Sequence, residues 1–169
     1  MADAKPKPRT KTKKRRRAPS RDEYVRYIVA IESWDWSYSF GLAGTKDSLD
    51  PYMEHRQLGI TGKLLHPTNP SIATVELWLL PRGDLDEDQR KNDTPTSVGR
   101  LTLHDGRLTG LLPIPADSLT ALLQMLIADR FRFVDLGAAR LRHRQALVSS
   151  FSLATHIDAD DMPSTGDET

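Results

Sequence analysis

Nine of the thirteen residues from Lys5 to Arg17 are lysine or arginine, and KKRRR within them is unbroken. Lys11, Lys13, Lys14, Arg15, Arg16 and Arg17 are its densest part. Such a run attracts any polyanion by Coulomb force and by releasing condensed counterions, and it needs no fixed shape and reads no base sequence. A second basic group lies further along. Arg130 and Arg132 alternate in RFRFVDL, and Arg140, Arg142 and Arg144 alternate in RLRHR. If Gly137-Ala138-Ala139 makes a three-residue turn, Leu136 faces Arg140 and Arg132 faces Arg144. Five guanidiniums then share one hairpin face, where like charges repel unless something neutralises them. Asp84, Asp86, Glu87, Asp88, Asp158, Asp160 and Asp161 are the chain's own candidates. Phosphate or an acidic partner is the external one, and guanidinium geometry suits either. A two-residue turn would scatter the group.

The third chemical feature is aromatic. In ESWDWSYSFGL, Trp34, Trp36, Tyr38 and Phe40 alternate with Ser33, Asp35, Ser37 and Ser39. Exposed rings beside cations stack on bases, and exposed tryptophans also bind sugars. Each ring left in water forgoes ~25 cal/mol per Å² of apolar burial, so the row is assigned to the core. Trp78 shares a strand face with Glu76, away from Val75, Leu77 and Leu79, and is the candidate for an exposed aromatic contact.

Other patterns fall short of chemistry. Asp84, Asp86 and Asp88 open like a calcium loop, but the sixth position is not glycine and Pro95 stands where a bidentate glutamate belongs. GLAGTKDS and GITGKLL lack the spacing of a phosphate-binding loop. The five histidines, His55, His66, His104, His143 and His156, show no ligand spacing, and there is no nucleophile elbow or zinc-protease motif. No catalytic residue, metal site or cofactor is assigned.

The elements that must carry these residues read as β. Alternation recurs in YVRYIVAIES, RQLGITGKLLH, SIATVELWLL, VGRLTLHDGRLTGLL, RFRFVDL and RLRHRQALVSSFSLAT. The apolar phase moves from odd positions (Val25 to Ile31) to even ones (from Trp34), which requires a bulge or bend at Glu32–Ser33, or else a strand that crosses between two sheets. Asp105-Gly106 predicts a tight hairpin pairing Leu103 with Leu108 and Thr102 with Thr109. Leu119, Leu122, Leu123 and Leu126 follow helical spacing, so one amphipathic helix is expected over 117–128 with Asp117 or Ser118 as its N-cap. The expected fold is mostly β, an antiparallel β-sandwich or open barrel.

The chain has 169 residues, 38% of them hydrophobic, and no cysteine, so disulfides, thiolate metal sites and thiol catalysis are excluded. Its formal charge of +1 hides an asymmetry. Residues 1–21 hold ten basic residues and one acid, a charge of +9; residues 22–169 hold 14 basic and 22 acidic, a charge of −8. The composition predicts a disordered basic arm over 1–22, a compact β-rich domain over 23–156 and an acidic disordered tail over 157–169. No stretch approaches the roughly 18 apolar residues of a membrane span and no apolar segment follows the basic run, so a cytoplasmic protein is expected.

YIVAIESWDWSYSFG, DPYMEHRQLGITGKLL, EDQRK and RLRHR together resemble a family of small bacterial proteins with no assigned function, over residues 24 to 153. The resemblance implies a bacterial, cytosolic origin and one compact domain, and it carries over no catalytic residue. The functional expectation is non-catalytic binding of a polyanion, most simply nucleic acid. The alternatives are a protein-interaction or assembly module whose β-domain docks a protein partner, and an enzyme or carbohydrate-binding sandwich using Trp34, Trp36 or Trp78.

Overall fold

The computed structural model describes residues 24–42, 51–85 and 95–157. Seven strands and one α-helix follow in order: β1 (Tyr24–Leu42), β2 (Tyr52–His66), β3 (Thr74–Arg82), β4 (Gly99–His104), β5 (Arg107–Pro115), α1 (Leu119–Ile127), β6 (Phe133–Ala139) and β7 (Gln145–Ala154). The mostly β class with a single helix is as the alternation and the leucine spacing predict.

The strands form one sheet in the order β1-β2-β3-β5-β4-β7-β6, and β6 returns to β1, so the sheet closes as a barrel. Six of its seven pairings are antiparallel. The exception is β3–β5, in parallel register from Thr74–Arg107 to Arg82–Pro115. The cause lies in the connections. The long stretch from Gly83 to Val98 lets β4 start one strand beyond the neighbouring place, and the tight Asp105-Gly106 turn then folds β5 back into the gap beside β3. That turn has φ of 48° and 77° at its two residues, as a two-residue hairpin needs. It pairs Leu103 with Leu108 and Thr102 with Thr109, as expected.

Inward positions are apolar on every strand: Tyr27 and Val29, Leu58 and Ile60, Val75, Leu77 and Leu79, Leu101, Leu108 and Leu112, Val134 and Leu136, Ala146 and Val148 are all buried. Among the described residues no polar or charged side chain is buried. Leu119 and Leu126 of α1 join this core, with Leu122 and Leu123 packed against it. The helix starts two residues later than expected, after a 3-10 turn over Ala116–Ser118, with Ser118 at the N-cap position. Ser118 does not cap it by accepting a bond; its hydroxyl donates to the Pro115 carbonyl at 2.7 Å. The helix ends on Asp129 at φ 53°, where Asp129 N–H donates to Leu126 O and Arg130 N–H to Met125 O.

The bulge expected at Glu32–Ser33 is present: Ile31 pairs with Gly62 and Ser33 with Thr61, leaving Glu32 extra. It puts Trp34 opposite Ile60 and Trp36 opposite Leu58, on the face that continues the barrel interior. The barrel does not follow. β6 backs β1 only from Tyr24 to Ala30, and β3 backs β2 only from Leu58 to Gly62. Beyond Trp36–Leu58 the two strands run on as a ribbon, and neither has a second neighbour among the described residues. The aromatic row is therefore not the core wall that its alternation suggested. Trp34, Tyr38 and Phe40 are exposed at 37%, 57% and 60%, and only Trp36 packs against the core.

Candidate nucleic-acid interface

The turn after β6 is not at Gly137-Ala138-Ala139. Ala138 is fully buried inside the barrel, and Gly137 lies where a Cβ would come within 2.6 Å of the Ser150 hydroxyl. The strand needs small residues there to admit β7, and it continues through them. The chain reverses at His143 and Arg144, both left-handed (φ 50° and 65°). Arg142 N–H donates to Gln145 O at 2.9 Å, and Gln145 N–H returns to Arg142 O at 3.0 Å. It is a two-residue turn, and the Arg132–Arg144 pairing expected from sequence does not form. Gly137 pairs with Ser150 and Phe133 with Ala154.

The five arginines divide accordingly. Arg132 sits at the α1 end of β6, where its N–H donates to Ala154 O at 2.9 Å and its guanidinium reaches Asp129 at 2.6 Å. Arg130 lies between this point and the helix. Arg140, Arg142 and Arg144 lie past the other end of a seven-residue strand, about 23 Å of extended chain away. All three are exposed. Arg140 and Arg144 have no ion-pair partner among the described residues.

What surrounds this loop is fixed by backbone. Leu103 N–H donates to Arg144 O at 2.8 Å, which ties the loop to the end of β4 and brings His104 and the Asp105-Gly106 turn alongside. Arg107 follows that turn and pairs with Glu76 at 3.1 Å; His104 faces Asp105 at 3.1 Å. Tyr27 reaches the loop from inside, its hydroxyl donating to Ala139 O at 3.3 Å. Burial pushes the Tyr27 hydroxyl above the ordinary tyrosine value, while backbone hydrogen bonding at Leu141 and the nearby Arg140 charge pull the other way.

β1 begins at this end. Tyr24 pairs with Ala139 and Val25 with Ala138, so residue 24 stands one position from Arg140 across the ladder. The basic run with Lys11, Lys13, Lys14, Arg15, Arg16 and Arg17 lies outside the described residues, but its attachment point does not: it joins the domain beside the arginine loop. The final strand finishes at the opposite end, with Ala154 against Phe133. Asp84, the one described member of the proposed acidic neutralisers, is paired with Arg82 at that far end, which holds its carboxyl below the usual range. Asp86, Glu87, Asp88, Asp158, Asp160 and Asp161 lie outside the described residues.

Trp78 is half-buried on the outer face of β3, where it pairs with Gly59 of β2. Two surface hollows lie among the described residues. One, about 800 Å³, is lined by Leu80, Val98, Leu111, Leu147 and Phe151. The other, about 350 Å³, lies between the ribbon base and α1 and is bordered by Glu32, Trp34, Asp129 and Arg132. Among the described residues no cluster of three or more His, Asp or Glu could hold a metal, and no helix is long and apolar enough to cross a membrane.

Sequence reasoning missed the aromatic ribbon as a surface. Tyr52, across from Leu42, stacks on Phe40 with centroids 5.4 Å apart and planes 15° from parallel. A usable signal was present in the length of the alternating stretch: nineteen residues of β1 exceed what a small barrel wall spans. No protein-family model matches the chain, and no curated protein and no solved structure matches it either.

Proposed function

We propose that the protein is a non-catalytic binder of a polyanion, most simply a nucleic acid, and that it acts in the bacterial cytoplasm. The basic end of the barrel is the contact: the run Lys5–Arg17 together with Arg140, Arg142 and Arg144. One observation carries the reading. The pairing of Tyr24 with Ala139 puts the first described residue, seven positions after the basic run ends in sequence, beside three exposed arginines, and this supports reading the two basic groups as one contact. Arg130 and Arg132 are left out of this contact, since they lie at the other end beside Asp129.

The recognition is electrostatic. Guanidiniums on a loop and a basic segment neutralise phosphates without reading base edges, so affinity should fall steeply with salt and depend little on sequence. Fluorescence anisotropy with a labelled DNA duplex, an RNA oligomer and inorganic polyphosphate, each from 50 to 300 mM salt on the order of the range that exposes counterion release, is the test. Binding of all three with steep salt slopes, lost when residues 1–21 are removed, is the expected result. Absent or salt-insensitive binding would end the reading.

A further inference from the structure

The ribbon beyond the barrel carries an apolar face that nothing in the described chain covers. Tyr38, Phe40, Leu42 and Tyr52 are exposed on it and Trp34 continues the same face at its base, and at ~150–250 Å² per aromatic side chain they leave about 500 Å² of apolar surface in water. A contiguous patch of about 500 Å² is at the upper end of what a monomer exposes and is often functional. Among the described residues the ribbon has no layer to pack on, and a lone two-stranded ribbon is marginal in water. A nucleic acid is a poor occupant. On the described ribbon Glu54 is balanced by Arg56, so the face has no excess of Lys or Arg to attract phosphates, and the basic loop lies at the other end of β1.

We propose that a second copy of this chain occupies the face, two ribbons packing ring to ring about a two-fold axis. The charges at the centre fit self-association. Strand register puts Glu54 opposite Phe40 and Arg56 opposite Tyr38, so both charges stand among the rings on the apolar face. They pair with each other at 2.6 Å, and the pairing lowers the Glu54 carboxyl and raises Arg56. A two-fold interface is self-complementary: if Glu54 of one copy meets Arg56 of the second, Arg56 of the first meets Glu54 of the second. The face is neutral as a whole and opposes no like charge. The ~500 Å² of apolar rings, widened by the ion pairs at its centre, approaches the ~800 Å² per partner of a standard stable interface.

The same geometry gives a test that a merely structural ion pair would fail. By light scattering coupled to size exclusion, the full chain is expected to be a dimer at micromolar concentration. Glu54→Arg and Arg56→Glu each put like charges face to face across the axis and should each give monomers. Mixed in equal amounts, they should form a heterodimer, because the all-cationic pair of one variant then meets the all-anionic pair of the other. Phe40→Ser with Tyr52→Ser should weaken dimerisation at least tenfold on the order seen for central aromatic anchors. It should leave the far-ultraviolet spectrum of the barrel unchanged, since both rings lie outside the core. A full chain that stays monomeric to high concentration would overturn the proposal. So would a dimer that survives Phe40→Ser with Tyr52→Ser, or charge variants that fail to pair when mixed.

Discussion

Trp78 occupies the room that a side chain at Gly59 would need: a Cβ built on Gly59 falls 2.7 Å from the indole Cζ3 and 3.2 Å from Cε3. The two are cross-strand partners on the outer face of β2 and β3. The large ring thus covers a glycine whose strand would otherwise have bare backbone, a pairing that supports edge and outer-face glycines in sheets. That relationship accounts for Trp78 being half-buried and explains its position beside Glu76 without a ligand.

The glycines of this region should rank by what stands over them. Gly62→Ala would drive its Cβ to 2.1 Å from the Ala30 carbonyl oxygen, a backbone atom at the bulged β1–β2 join that cannot yield. Gly59→Ala needs only a ring to move, and at Gly41 nothing lies within 4 Å. Losses of about 3 kcal/mol or more, about 1–2 kcal/mol and within ~0.5 kcal/mol are expected in that order. Urea unfolding followed by circular dichroism checks the ranking, and tryptophan emission should change only for Gly59→Ala.

Arg26 and Asp135 hold the seam where the barrel closes. Arg26 Nε donates to both carboxylate oxygens at 3.0 and 2.9 Å, and Nη2 donates to Oδ2 at 2.7 Å. The pair is partly exposed, so Asp135→Asn should cost about 1 kcal/mol. Amide hydrogen exchange should quicken along β1 from Tyr24 to Ala30 and along β6, with little change in β3–β5.

Tyr27 gives a pH dependence of definite sign. Burial raises its hydroxyl above the ordinary value, so the folded state favours the neutral form. The stability this carries is complete below the unfolded value near 10 and is lost as pH rises through the higher folded value. Unfolding free energy should fall at alkaline pH, and Tyr27→Phe should remove that part of the fall while costing about 1 kcal/mol at neutral pH for the bond to Ala139 O.

For the arginine loop the expected signature is a slope. Converting Arg140, Arg142 and Arg144 to alanine should reduce the salt dependence of polyanion binding by up to about three, near 0.9 for each phosphate no longer neutralised. Converting Arg130 and Arg132 should leave the slope nearly unchanged. Anisotropy titrations over a salt series read both.

Local rules carried most of the fold's legibility. Asp105-Gly106 specified its hairpin because few residues accept two left-handed positions in a row, and the change of apolar phase at Glu32 located a bulge because strand faces alternate strictly. The leucine spacing found α1. Two features escaped for one physical reason, that alternation reports a strand's faces and not its neighbours. The row from Trp34 to Phe40 carries a core pattern past the last residue at which β6 or β3 stands behind it. Gly137-Ala138-Ala139 has turn composition, yet its small residues serve the close approach of β7 within the wall. The reversal fell instead on His143 and Arg144, which carry no turn signal. The parallel β3–β5 pair depends on how far β4 travels after Gly83, which no local pattern encodes.

β1 runs unbroken from the arginine loop, along the barrel wall, to the tip of the aromatic ribbon, about 60 Å of extended backbone at ~3.3 Å per residue. Its two ends therefore cannot crowd one another, and a molecule held at one remains free to engage at the other. Copies joined ribbon to ribbon, as proposed above, would carry the Arg140–Arg144 loops outward, at the far ends of an elongated particle. Such a particle would act as a crosslinker: on a long anionic chain its collective effect would be bundling and compaction, visible as turbidity or a shortened contour, where a one-ended binder would only coat.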